Sequence, residues 1–259
     1  MIRKLILVLL FAVSVNSHLL VGKSDDLEKQ MITQEAIQHL PAPVQRCLEF
    51  SQVIGTPRVK KVELQQRGLF KIAADKPWAP FKAKQWFKVD QAAFEWKVNM
   101  KMAPFLHVRG VDRLDEGKGQ MKIRLLGFIP LVNAKGPEID QGSMTRYLSE
   151  MIWFPQGFLE DQIQWEAIDD SSARAILTFG DKSVDGVFHF DAQGRVCAFT
   201  CDRYATEGKE MVLRPWRASV YEYGERDGIM MGTKAKVTWE RPEGDYTYID
   251  LEITELKYE

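Results

Sequence analysis

Phe94-Glu95-Trp96-Lys97-Val98-Asn99-Met100-Lys101-Met102 alternates without a break, every even position apolar and every odd position polar or charged. Side chains of an extended chain point to opposite faces with a period of two, so this segment reads as a strand with one buried and one wet face. The pattern extends outward in both directions. Phe81, Ala83, Phe87 and Val89 repeat it on the preceding strand, and Met121, Ile123 and Leu125 on a following one. Asp115-Glu116-Gly117-Lys118-Gly119 separates the latter from its neighbour, with glycines to supply the positive φ of a hairpin turn. Upstream, residues 59–72 read as a strand carrying Val62, Leu64, Phe70 and Ile72 on one face, ended by Asp75-Lys76-Pro77. Downstream of Ile163, turn signals recur at Asp169-Asp170-Ser171, Gly180-Asp181, Asp191-Ala192-Gln193-Gly194, Glu207-Gly208, Asp227-Gly228 and Glu243-Gly244-Asp245. They divide the remainder into about seven strands. Val237 and Trp239, then Ile249, Leu251 and Ile253, carry the inward faces of the last two.

The period changes in two places. After a possible cap at Ser24-Asp25-Asp26, residues 27–40 hold good helix formers up to Pro41, and residues 43–50 continue as a second helical piece stopped by Gly55-Thr56-Pro57. In residues 142–155, Ser143 is a candidate cap, and Met144, Tyr147, Leu148 and Met151 fall at helical spacing. The expected fold is mainly β (α+β): a single antiparallel curved sheet or half-barrel of about eleven strands, with N-terminal helices and one inserted helix. Residues 23–259 are expected to form one domain.

At 259 residues and 45% hydrophobic composition the chain can bury one substantial core. Its formal net charge of -1 supplies no global basic field, so nucleic acid is not an expected partner. Arg3 and Lys4 precede the apolar run of residues 5–15, the layout of a signal peptide. Residues 1–22 are therefore expected to be a cleaved signal peptide or an uncleaved membrane anchor, with the bulk of the chain exported to the periplasm or to the outer face of the cytoplasmic membrane. Cys47, Cys197 and Cys201 make no disulfide framework. Cys197 and Cys201, four apart on a strand, stand about 13 Å apart, too far for a bridge.

No motif for a serine nucleophile elbow, a P-loop, a dinucleotide fingerprint or a zincin helix is present, so no catalytic residue, metal or cofactor is expected. His107 and His189 lack a second ligand at metal-binding spacing. Asp112, Asp115 and Glu116 read as a solvated hairpin tip. Asp140, Arg146 and Glu150 read as a polar cluster that either lines a cavity mouth or ties the helix to the sheet, with Arg146 and Glu150 spaced to pair. Met100, Met102, Met121, Met144 and Met151 suit an adaptable apolar lining, or equally an ordinary core.

Asp75-Lys76-Pro77-Trp78, Gly136-Pro137-Glu138-Ile139-Asp140-Gln141-Gly142, the segment from Arg146-Tyr147-Leu148 to Trp153-Phe154-Pro155, and Leu213-Arg214-Pro215-Trp216 resemble a family of uncharacterised bacterial proteins, a domain of unknown function. The resemblance runs from about Pro41 to the C-terminus and implies no catalytic residues. In order of elements the chain also looks like the periplasmic lipoprotein carriers and their relatives, and that resemblance implies a half-barrel holding acyl chains under a helical lid. The expected function is an exported, non-catalytic binding protein for a hydrophobic or lipid-like ligand on the concave face. Phe94, Trp96, Met100, Met121, Tyr147, Met151, Trp153 and Trp239 would line its site, and Arg146 would meet an anionic headgroup. Two alternatives remain open: a cell-envelope hydrolase using Glu138, Asp140 and Glu150, and a ligand-free structural or interaction module.

Overall fold

The chain crosses from one edge of its sheet to the other only once, and that crossing places the candidate site. A computed structural model describes residues 31–208 and 210–259; the signal-peptide or anchor expectation lies outside the described residues. Two short helices, α1 (Gln34–Ile37) and α2 (Ala42–Phe50), precede six strands. These are β1 (Lys61–Phe70), β2 (Ala79–Lys88), β3 (Ala93–Ala103), β4 (Leu106–Asp115), β5 (Lys118–Leu125) and β6 (Ile129–Ala134). Helix α3 (Pro137–Glu150) and 3-10 turns at Met151–Trp153 and Pro155–Leu159 follow. The chain ends with β7 (Ile163–Asp169), β8 (Ser172–Phe179), β9 (Lys182–Phe190), β10 (Val196–Glu207), β11 (Glu210–Arg226), β12 (Ile229–Trp239) and β13 (Tyr246–Tyr258).

All thirteen strands form one antiparallel sheet in the order β6-β5-β4-β3-β2-β1-β13-β12-β11-β10-β9-β8-β7. The first meander runs from the centre to one edge, and the second returns from the opposite edge until β13 pairs with β1. The β6 to β7 connection must therefore span the full width, and α3 does so across the concave face. One side of α3 packs on β4 and β5 and another on β8, β9 and β10. A single helix can touch both wings only if the sheet curves around it, giving a half-barrel. At one rim the wings meet: Lys182 Nζ donates to the Gly117 carbonyl at 3.0 Å and pairs with Asp140 on α3 at 2.5 Å.

Gly119 sets the height of the helix. A Cβ there would lie 2.4 Å from the Ile139 carbonyl oxygen and 2.5 Å from Ser143 Oγ, so glycine permits the close approach of α3 to β5. Its N–H donates to Asp140 Oδ1 at 2.7 Å. Two aromatic clusters fix the end of the crossing. Phe87, Tyr147 and Phe154 meet with ring centroids 4.6 to 6.2 Å apart, and the Tyr147 hydroxyl donates to the Val89 carbonyl. Phe158 packs on Phe188, which packs on Phe199. Truncating Phe154, which is fully buried, to alanine removes about 3–5 kcal/mol.

Several sequence expectations are corrected. The sheet has thirteen strands rather than about eleven; β6, broken by Pro130 and mostly exposed, carries little alternation. Of the expected helix over residues 27–40, the described part holds only Gln34–Ile37. Met31 bridges Pro57 in extended form, and Thr33 then caps α1 by accepting from the Ala36 N–H. Helix α3 begins at Pro137, not at Ser143, because Pro at the first helical position and Glu138 and Asp140 in the first turn form a strong start. Ile72 lies beyond the end of β1 and is exposed. Glu95 breaks the alternation of β3: Lys97 at 2.5 Å and Arg113 fold over it and bury it on the outer face.

Candidate functional site

The alternation of the central strands turns one side chain in two toward α3, and these side chains enclose a cavity of about 260 Å³. On the first wing its wall is Phe81 of β2, Trp96, Val98 and Met100 of β3, and Met121 and Ile123 of β5. On the second wing it is Trp216 and Ala218 of β11, Ala235 and Val237 of β12, and Ile249 and Leu251 of β13. Ile152 and Trp153, in the 3-10 turn after α3, supply further apolar lining. The volume is near the lower end of small-molecule sites, and apolar walls with a few convergent polar groups are their usual composition.

The polar groups come from α3 and the strands beneath it. The Arg146 guanidinium lies over the rings of Trp96 (4.6 Å to the centroid) and Phe94 (5.1 Å). Its Nε donates to Glu150 Oε1 and its Nη1 to Asp112 Oδ2, each at 2.9 Å. Glu150 Oε2 accepts from Gln85 Nε2 at 2.6 Å, and Trp96 Nε1 donates to Gln66 Oε1 at 2.9 Å. Burial raises the Glu150 carboxyl above its ordinary range, an effect that the Arg146 charge opposes without overcoming. The Asp112 carboxyl is raised for the same reason, against Arg146 and Arg203. Burial also works against the Arg146 charge, but Glu150 and Asp112 outweigh it and hold the guanidinium protonated.

Arg203 of β10 is placed differently. Its guanidinium lies 4.6 Å from the Trp216 ring centroid, its Nη2 donates to the Gly142 carbonyl at 2.8 Å, and its buried Nε has no hydrogen-bond partner. Among the described residues it makes no ion pair, although it lines the cavity opposite Arg146. Two cations and two carboxylates thus share the polar end, and both carboxylates are hydrogen-bonded to residues other than Arg203.

The structure brings five of the nine expected site residues to the cavity: Trp96, Met100, Met121, Arg146 and Trp153. Phe94 is buried under the Arg146 guanidinium. Tyr147 faces the aromatic cluster away from the cavity, and Met151 is wholly buried in the core. Trp239 stacks on Tyr248 at 6.2 Å outside the lining. Arg146 does not present a bare charge to a headgroup, because Asp112 and Glu150 already engage it. Asp112 belongs to this cluster rather than to the hairpin tip, since it shares the inward face of β4 with Gly110. Asp140 turns instead to Lys182 and Gly119. Sequence reasoning missed Arg203, Gln66 and Trp216; the signal for Trp216 was its place in Leu213-Arg214-Pro215-Trp216.

The remaining candidates are occupied locally. His107 contacts Asn99 Oδ1 at 3.2 Å, and His189 contacts Thr200 Oγ1 at 2.9 Å. All three cysteines are free thiols. Among the described residues no three His, Cys, Asp or Glu side chains converge as metal ligands would.

Residues 30–251 match the family of unknown function DUF6544, and the chain belongs to that family. No curated protein sequence matches it. Three solved structures are similar in overall shape. One is a domain named for outer membrane lipoprotein sorting, from Vibrio parahaemolyticus (11% identity, 88% of this chain and 92% of that one, TM-score 0.45). The second is a DUF1329 family protein from Desulfovibrio piger (13%, 85% and 94%, 0.45). The third is a LolA superfamily protein from Nitrosomonas europaea (13%, 83% and 93%, 0.44). At these identities and scores the likenesses carry no functional argument.

Proposed function

We propose that this protein is an exported carrier that holds one hydrophobic or lipid-like ligand between α3 and the concave face of the sheet. The observation that supports it is the cavity itself: about 260 Å³ of space walled by aromatic, Met, Val, Ile and Leu side chains, with its charged groups gathered at α3, β4 and β10. Arg203 is the group best placed for an acidic headgroup, because among the described residues it makes no ion pair, although Asp112 and Glu150 lie close enough to feel its charge. Arg146, Asp112 and Glu150 act as a hydrogen-bonded wall that positions Trp96. Export rests on Arg3, Lys4 and the apolar run of residues 5–15.

Catalysis by the expected carboxylates has less support. Asp140 and Glu150 stand ten residues apart on one helix, about 15 Å along its axis, beyond the spacing at which two carboxylates flank a reacting bond. Each is already held by a cation.

The test is native mass spectrometry of the protein purified from its own membrane or periplasmic fraction, followed by organic extraction and lipid analysis. A one-to-one acyl-containing adduct is expected. A clean apo mass together with no uptake of a fluorescent fatty acid rejects the carrier reading.

A further inference from the structure

We propose that the paired hairpin turns at one end of β3–β6 are a docking edge for an anionic lipid surface, inserting Phe105 and Phe128 while a row of cations on the outer face of the sheet meets the headgroups. The inference goes beyond ligand binding and does not depend on it.

Three observations converge on this edge. The first is exposed apolar surface. Phe105 is 93% exposed and Phe128 71%, and Leu106, Leu126, Ile129 and Leu131 beside them are also exposed. The Leu126 N–H donates to the His107 carbonyl at 2.8 Å, so the β3–β4 and β5–β6 turns stand side by side and their apolar residues form one patch.

The second is turn chemistry. Two other hairpin turns put a polar residue at the left-handed position before glycine, Glu116 (φ 48) before Gly117 and Asp227 (φ 50) before Gly228, and the β2–β3 turn has the small Ala92 (φ 46) in that conformation. At this edge the left-handed residues are Phe105 (φ 64) and Leu126 (φ 53). Bulky apolar side chains are disfavoured in that conformation, where Gly, Asn or Asp is usual. Two neighbouring turns thus accept backbone strain and still aim apolar groups at water, an arrangement that folding alone does not reward.

The third is charge. Lys82, Asn99, Arg109 and Arg124 lie directly opposite one another in successive strands β2 to β5, a row with three cations and no carboxylate. Arg109 and Arg124 are exposed and make no ion pair among the described residues. Like charges opposed across a strand pair destabilise it. The Arg109 guanidinium reaches the apolar edge, since a Cβ on Gly127 would lie 3.1 Å from its Nη1. The whole chain carries -1, so this is segregated charge rather than general excess. A lipid surface matches both parts, because its headgroups are anionic and its interfacial layer accepts aromatic and aliphatic side chains. Nucleic acid or an acidic protein would satisfy the cations and leave the four aliphatic residues in water.

The experiment is hydrogen exchange of the full chain with vesicles of equimolar phosphatidylglycerol and phosphatidylcholine, and with phosphatidylcholine alone. Residues 1–22 could hold the protein on any bilayer, so the readout is local: the amides of Phe105, Leu106, Gly127, Phe128, Ile129 and Leu131. Slowing at both turns is expected on the anionic vesicles, and much less on the neutral ones or at high salt. Arg109→Gln with Arg124→Gln should weaken vesicle partitioning by about 30-fold, at roughly fivefold per charge. Phe105→Asn should weaken it by about tenfold and leave the melting temperature unchanged or raised, because Asn tolerates the left-handed conformation. Vesicle binding without slowing at the turns overturns the proposal. So does equal slowing on neutral vesicles, or a single-stranded oligonucleotide that slows the same amides equally in Phe105→Asn and the parent.

Discussion

Replacing Ala235 by leucine separates a ligand site from ordinary packing. Ala235 is 2% exposed, sits on β12 opposite Leu251, and contributes to the wall of the 260 Å³ cavity. Leucine adds three carbons, about 80 Å³; at about 24 cal/mol per Å³ of cavity filled, the folded protein gains up to ~2 kcal/mol. In a chain of this size that is a rise of about 4–8 °C in Tm. The same atoms displace about three methylenes of any bound acyl chain, worth ~0.8 kcal/mol each, so ligand affinity falls by roughly 50-fold. The assay pairs thermal denaturation followed by circular dichroism with displacement of a fluorescent fatty acid. A fall in Tm with unchanged uptake refutes the reasoning, because it means Ala235 lies against packed core that leucine overfills. A rise in Tm with unchanged uptake places the ligand elsewhere.

The charge cluster and the thiols give two further expectations. Arg146→Met leaves Asp112 and Glu150 without their shared cation and should cost about 3–5 kcal/mol at neutral pH. Both carboxyls already have raised pKa values in the folded state, and the variant raises them further. A group that takes up a proton on folding loses stability as pH rises, in the window from about 4 upward to its raised value. The variant's deficit in urea midpoint should therefore shrink between pH 7 and pH 5, and an equal deficit at both would show that the carboxyls are not the unpaired groups. Burial pushes the Cys47 and Cys201 thiols up to about 12, whereas Cys197 is exposed. An aromatic disulfide reagent should modify one thiol per native chain, and Cys197→Ser should abolish that signal; two or three fast equivalents would contradict the burial.

What the sequence determined by itself was the strand content and which face of each central strand is apolar. Side-chain period is a local property, so Trp96, Val98 and Met100 could be assigned to one face without knowing the partner strands. The seven-strand second half was legible for the same reason, through turn residues that need positive φ or a fixed bend. Only the tertiary structure decided what that face encloses. Arg203 and Trp216 reach the cavity because β10 and β11 lie in the wing opposite β3–β5, a pairing that no local pattern encodes. Asp112 looked like part of a solvated tip with Asp115 and Glu116 because they are neighbours in sequence, yet alternation sends its side chain inward to Arg146, 34 residues away. Tyr147 and Met151 share helical spacing with Arg146 and Glu150, but a helix covering a curved sheet buries more than one face. One set of its side chains packs against the aromatic core and the other borders the cavity, because the sheet wraps the helix on both sides.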